Sequence, residues 1–100
     1  MIFIVTTIQT QEQAEKLVDL LLEKKLIACG GYFPIQSRYH WKGKKHTNNE
    51  YRIEMETRDE CYDDVEKVLR EHHPYEAPVI LSWSVRADEG TSAWVDDVTM

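Results

Sequence analysis

Positive charge is in short supply in this chain. Its 100 residues carry 12 Lys and Arg against 18 Asp and Glu, a formal net charge of −6. A protein that grips nucleic-acid phosphates needs a basic stripe, and an anionic membrane surface attracts the same feature. Neither partner is expected. Low-complexity and disorder-prone tracts are also missing, and 42% hydrophobic residues suffice for one core. We therefore expect a single domain spanning residues 1–100. The apolar start MIFIVTTIQT has no basic leader region and no small-residue cleavage site, and is too short to cross a membrane. A soluble, cytoplasmic protein is expected. Cysteine occurs twice, at Cys29 and Cys61. Two cysteines do not make a disulfide framework, and both read as buried thiols in a reducing compartment.

The rest of the sequence is strongly patterned. Ile2-Phe3-Ile4-Val5 is a continuous apolar run that fits a strand buried on both faces. Thr10-Gln11-Glu12-Gln13 is a capping box. Behind it Ala14, Leu17, Val18, Leu21 and Leu22 recur at helical spacing to about Lys25. A second extended stretch begins at Leu26 to Cys29, and Gly30-Gly31 predicts a bulge or a close backbone approach. Residues 33 to 41 alternate, Lys42-Gly43-Lys44 reads as a turn, and a return strand is predicted from about Asn49 to Thr57. Thr57-Arg58-Asp59-Glu60 resembles a second capping box, opening a helix that carries Cys61, Val65, Val68, Leu69 and His72 and ends at Pro74. Val79 to Val85 reads as the last strand. Thr91 is placed as the cap of a short terminal helix carrying Trp94, Val95 and Val98.

This order, with right-handed crossovers, predicts an α+β fold. It is a ferredoxin-like βαββαβ sandwich of four antiparallel strands with two helices on one face and a short C-terminal helix. The other face then has little to cover it. Yet the first strand is apolar on both sides, and the long hairpin carries Tyr39, Trp41, Tyr51, Ile53 and Met55. Leaving such side chains wet forgoes several kcal/mol at roughly 25 cal/mol per Å² and makes a patch that monomers avoid. A homo-oligomer built through sheet and hairpin packing is expected.

Several segments together resemble the CutA family of divalent-cation tolerance proteins. They are VTT after the first strand, LIAC at 26–29, Pro34, Y-x-W-x-G-K at 39–44, Thr57-Arg58, HHPYEAP at 72–78, and a Trp in the terminal helix. The resemblance implies a homotrimer with clefts between subunits, similar to PII signalling trimers. It implies a part in tolerance of copper or another divalent cation, no enzymatic activity, no organic cofactor, and in some members a protein partner. A copper site proposed for some members falls here on Thr6, His72 and Val79, of which only His72 is a metal-ligating type.

The candidate residues carry two readings each. His72 extends the apolar stripe, so it is either a hydrogen-bonded histidine at the core edge or a ligand for a soft divalent ion. His73 points about 100° away on a helix and, like Glu76, reads as a solvated helix end, with a weaker reading as a ligand. Cys29 as a soft ligand needs a second thiolate or imidazole beside it. Tyr75 either wedges the connection between Pro74 and Pro78 or lines a cleft. Tyr39 and Trp41 are interface packing or a stacking platform for a ligand. Lys44, with Arg38 and Lys42, fits an anion. Two functions follow: a trimeric metal-tolerance protein, or a PII-like signalling or scaffold module that binds a small ligand or a partner protein in its clefts. Acylphosphatase chemistry is excluded, because Thr6-Thr7-Ile8-Gln9-Thr10 lacks the arginine and glycines of a phosphate loop. RNA binding through exposed sheet aromatics is excluded by the acidic charge.

Overall fold

The apolar run at the start forms β1 (Ile2–Ile8), and the capping box behind it is real. Thr10 Oγ1 accepts from the Gln13 amide while the Gln13 side chain accepts from Thr10 N–H, both at 3.1 Å. This starts α1 (Gln11–Glu23), which buries Ala14, Leu17, Val18 and Leu21. The computed structural model describes every residue from Met1 to Met100 and continues with β2 (Cys29–Trp41), β3 (Lys44–Thr57), a 3₁₀ turn (Asp59–Cys61), α2 (Tyr62–His72), β4 (Ile80–Ser84) and α3 (Glu89–Val98). The strands form one antiparallel sheet in the order β2-β3-β1-β4. This is the ferredoxin-like α+β sandwich that the element order predicts.

Register divides the sheet into two chemically distinct faces. Ile2, Ile4, Thr6 and Ile8 of β1 lie beside Thr57, Met55, Ile53 and Tyr51 of β3. This face packs on α1 and α2, and Ile4, Ile53, Met55, Leu21, Val65 and Leu69 are fully buried in the core between them. Tyr51, Ile53 and Met55 therefore do not belong to the open side where Tyr39 and Trp41 lie, since alternate β-strand residues point to opposite faces. The other face carries Phe3 and Val5 beside Trp83 and Leu81 of β4, with Glu54 and Glu56 of β3 on their other flank. No helix of the chain covers Leu81 and Trp83, which remain 50% and 44% exposed.

Several boundaries differ from those predicted. The return strand starts at Lys44 because the turn is only two residues long. Lys42 and Gly43 take φ of 50° and 78°, the pair of left-handed residues that a tight hairpin with matching twist requires. The hairpin arms of 13 and 14 residues stretch the molecule to 45 × 24 × 22 Å. Gly30 does mark a close approach: a Cβ there would stand 2.8 Å from Val18 Cγ1, whereas one at Gly31 would meet nothing within 4 Å. Thr57 does not cap α2. Its hydroxyl donates to the Leu26 carbonyl at 2.6 Å in the core, and the helix enters through the 3₁₀ turn without a side-chain cap. β4 is confined to Ile80–Ser84. The cap of α3 is Asp88, whose carboxylate accepts from the Gly90 and Thr91 amides and the Thr91 hydroxyl. The chain end is tied down by Met100 N–H to the Lys25 carbonyl at 2.9 Å and by Arg58 Nε–H to Thr99 Oγ1 at 2.9 Å.

Candidate functional site

The segment His72 to Val79 carries the chain from α2 to β4, and Pro74 dictates its geometry. A proline disfavours the helical conformation for the residue before it, and His73 turns extended at φ −78°, ψ 133°. That single rotation sends the His73 ring inward. His73 is 9% exposed, while His72, still helical, is on the surface. The periodicity-based assignment of the two histidines is thereby reversed: His73 leaves the helical spacing at the residue before Pro74 and turns inward, while His72, the last helical residue, stays at the surface.

Both nitrogens of His73 are engaged. Nε2–H donates to the Thr7 carbonyl at 2.7 Å, with Thr6 Oγ1 at 3.3 Å, and Nδ1 accepts from Tyr75 N–H at 3.2 Å. Burial pushes its pKa below the ordinary histidine value, against smaller opposing effects of the Thr7 carbonyl and the Glu50 charge. His73 is thus a neutral strut between β1 and the following loop. It has no free lone pair for a metal.

The strut positions Tyr75. The two rings lie 4.8 Å apart between centroids, and the Tyr75 hydroxyl donates to Glu50 Oε2 at 2.7 Å. Burial first, then the bond to Glu50 and its charge, raise the Tyr75 pKa far above the ordinary phenol value, so the hydroxyl remains a donor. Glu50 is the residue that sequence reasoning missed. Strand alternation puts it on the same face as Glu54 and Glu56, yet it is only 6% exposed. Beside it, where β1 ends and the hairpin runs on alone, lies a hollow of about 260 Å³ lined by Glu50, Gln9, Gln36, Asn49, Pro34 and Ile35, with Tyr51 at its wall.

The other candidates lie apart from this cluster or at the surface. Glu76 is exposed. Cys29 is exposed rather than buried, since it sits on the uncovered sheet face opposite Glu56 in register. Partial burial and the Glu56 charge push its thiol pKa up, which disfavours the thiolate that metals bind. Cys61 is buried as expected, and its Sγ contacts the Met100 carbonyl oxygen at 3.0 Å. Trp41 and Lys44 pair in register at the hairpin tip. There Tyr39 stacks on His46 with centroids 5.5 Å apart, Asn48 donates to the Tyr39 hydroxyl, and Lys42 Nζ stands 5.7 Å from the Trp41 ring centroid. Of the positions that the family resemblance implied for copper, Thr6 is buried beside His73 and Val79 is exposed like His72. No three His, Cys, Asp or Glu side chains converge within the chain to hold a metal ion, so the residues of one copy do not fit a copper centre.

Comparison with known proteins points one way. A family model described as CutA1 divalent ion tolerance protein matches residues 2–98. The Divalent-cation tolerance protein CutA of Archaeoglobus fulgidus is 34% identical over 96 residues, covering 95% of this chain and 94% of that one. A solved structure from the same organism, described as the periplasmic divalent cation tolerance protein CutA, superposes with a TM-score of 0.95 at 34% identity and covers 98% of both chains. The crystal structure of CutA1 from Pyrococcus horikoshii gives a TM-score of 0.96 at 31% identity, over 100% of this chain and 99% of that one.

Proposed function

The chain belongs to the CutA1 divalent ion tolerance protein family, and from that premise we propose that it serves tolerance of divalent cations, copper among them, as a homotrimer without enzymatic activity. The observation that carries the proposal is the uncovered sheet face. Phe33, Val79, Leu81 and Trp83 are each 43–50% exposed. That is more large apolar surface than a monomer keeps, and copies of the same chain offer the same strands and hairpins to cover it.

Metal enters this reading as a ligand shared between copies. One chain supplies only scattered donors: the surface imidazole of His72, the thiol of Cys29, and the β3 carboxylates Glu54 and Glu56. Soft and borderline ions prefer imidazole and thiolate, and bringing such donors together across a trimer completes a set that a lone chain lacks. The free, exposed Cys29 thiol suits a reducing compartment, which is the ground for placing the protein in the cytoplasm. The Archaeoglobus relative is described as periplasmic, so membership of the family does not itself set the compartment. No helix is long and apolar enough to cross a membrane.

The test has two stages. Sedimentation equilibrium at micromolar protein is expected to return three times the 11.8 kDa chain mass; a stable, folded monomer would retire the shared-ligand reading. Calorimetric titration of Cu²⁺ and Zn²⁺ into the assembled protein and into its His72→Ala and Cys29→Ser variants follows. Weaker binding in either variant supports shared ligation, and isotherms identical to wild type in both remove those residues as ligands.

A further inference from the structure

We propose that the basic end of the hairpin is a docking arm for a second copy of the chain, with Lys42 and Lys44 seated against Glu56 on the neighbour's uncovered sheet face. This rests on the homotrimer reading and adds to it which surfaces meet and what draws them together. Charge is sharply segregated along the chain. No Asp or Glu occurs between Lys24 and Asn49, and Arg38, Lys42, Lys44 and Lys45 crowd the far end of the hairpin, while all 18 Asp and Glu lie elsewhere. These four cations are exposed, and none of them takes part in a salt bridge. The arm also lacks support of its own. β1 ends at Ile8, opposite Tyr51, so beyond that point β2 and β3 pair only with each other. A two-stranded ribbon alone in water is marginal, so this one needs a surface to lie on.

Reach and chemistry both select the neighbour's open face as that surface. Register puts Tyr39, Trp41 and Lys44 on the side of the ribbon that continues the uncovered face, and both aromatics are more than a third exposed. From Tyr51 to Lys44 the ribbon runs about 24 Å, whereas four strands make a face about 15 Å across. One arm is therefore long enough to cross a neighbour's sheet. That sheet offers Phe3, Leu81 and Trp83 to the aromatics. It also offers Glu56, which is opposite Phe3 and Cys29 in register, partly exposed and without a cationic partner. The arginine on the same face of β3, Arg52, is taken by Glu54 at 3.2 Å. Opposite charges on two surfaces steer their encounter and fix their register. Two arm ends meeting each other would set like charges face to face. An arm-to-face contact joins two different surfaces, so it is heterologous and closes as a ring, in keeping with a trimer.

Within one chain Lys44 and Glu56 stand about 40 Å apart along one extended strand, so any contact between them is a contact between copies. The test treats the assembled protein, at low micromolar concentration, with a zero-length carbodiimide that joins a lysine amine to a carboxylate touching it. Mass spectrometry of the digest is expected to find Lys42 or Lys44 joined to Glu56, and Glu56→Gln is expected to abolish that product. Sedimentation in urea supplies a second readout. Glu56→Gln is expected to lower the urea concentration at which the trimer dissociates. Raising NaCl from 50 to 500 mM is expected to do the same in wild type and to have a smaller effect in the variant. A trimer whose Lys42 and Lys44 couple to other carboxylates, or to none, overturns the proposal and leaves the trimer reading standing. So does a dissociation midpoint that neither the variant nor salt moves. A folded monomer in dilute buffer overturns both.

Discussion

Tyr75 and Glu50 lie 25 positions apart in the chain and meet through one bond, the phenol hydroxyl on Oε2 at 2.7 Å. This bond ties the α2–β4 connection to the base of the hairpin. Glu50 has no other protein donor, so the bond answers for a buried carboxylate as well as for the loop. Tyr75→Phe is expected to lower unfolding stability by ~1–3 kcal/mol, the cost of leaving a buried acceptor unmatched. The check is the shift in urea midpoint at unchanged m-value. A midpoint within error of wild type would show that Glu50 finds water instead.

His73 makes stability pH-dependent. Its pKa is lowered in the fold, chiefly by burial, from an ordinary value of 6.5. The unfolded chain therefore takes up the proton more readily than the native one, and stability rises with pH wherever that is so. His73 contributes its full share above about pH 6.5, and the share is lost as pH falls through that value and on through the lowered one. Melting temperatures recorded from pH 8 down to pH 5 should decline more steeply for wild type than for His73→Gln. Parallel profiles would remove His73 as the cause.

The two adjacent glycines should respond differently. At Gly30 a new Cβ meets Val18 Cγ1 at 2.8 Å and Ile27 Cδ1 at 3.3 Å, so Gly30→Ala forces β2 away from α1 and is expected to cost ~1–3 kcal/mol, as overpacking does. Gly31→Ala meets nothing within 4 Å and should be neutral or slightly stabilising, by reducing the freedom of the unfolded chain. Equal effects in denaturant titrations would mean that strand packing at Gly30 relaxes freely.

Leu81→Asp tests what the open face is for. Leu81 sits beside Val5 in register and is 50% exposed, so a charge there leaves the single chain's core untouched. The expected result is dissociation to folded monomer or dimer in sedimentation velocity, with far-UV circular dichroism preserved. A trimer as stable as wild type would place the subunit contact elsewhere.

Much of the fold was legible from periodicity. The Thr10–Gln13 capping box and the 3.6-residue stripe of Ala14, Leu17, Val18 and Leu21 define α1 from local chemistry. The alternation in the hairpin locates β2 and β3 for the same reason. Prediction failed where a residue's surroundings come from a distant segment. Thr57 has the look of a cap, but the Leu26 carbonyl, delivered by another part of the chain, takes its hydroxyl. Cys29 reads as buried because a free thiol in a reducing compartment usually is, but strand alternation turns it onto the face that no helix covers.

Local sequence determined the elements, their amphipathic faces, the existence of a turn at Lys42-Gly43 though not its two-residue length, and the family resemblance, because these depend on spacing and on backbone preferences that act over a few residues. Tertiary structure alone decided that His73 rather than His72 is the buried histidine, and that Glu50 is buried while Glu54 and Glu56 beside it are not. It also placed Tyr75 against that carboxylate. Those outcomes depend on how a proline-directed loop folds back over a strand 25 residues away, and no local pattern encodes a contact between segments whose meeting depends on the packing of the whole sheet.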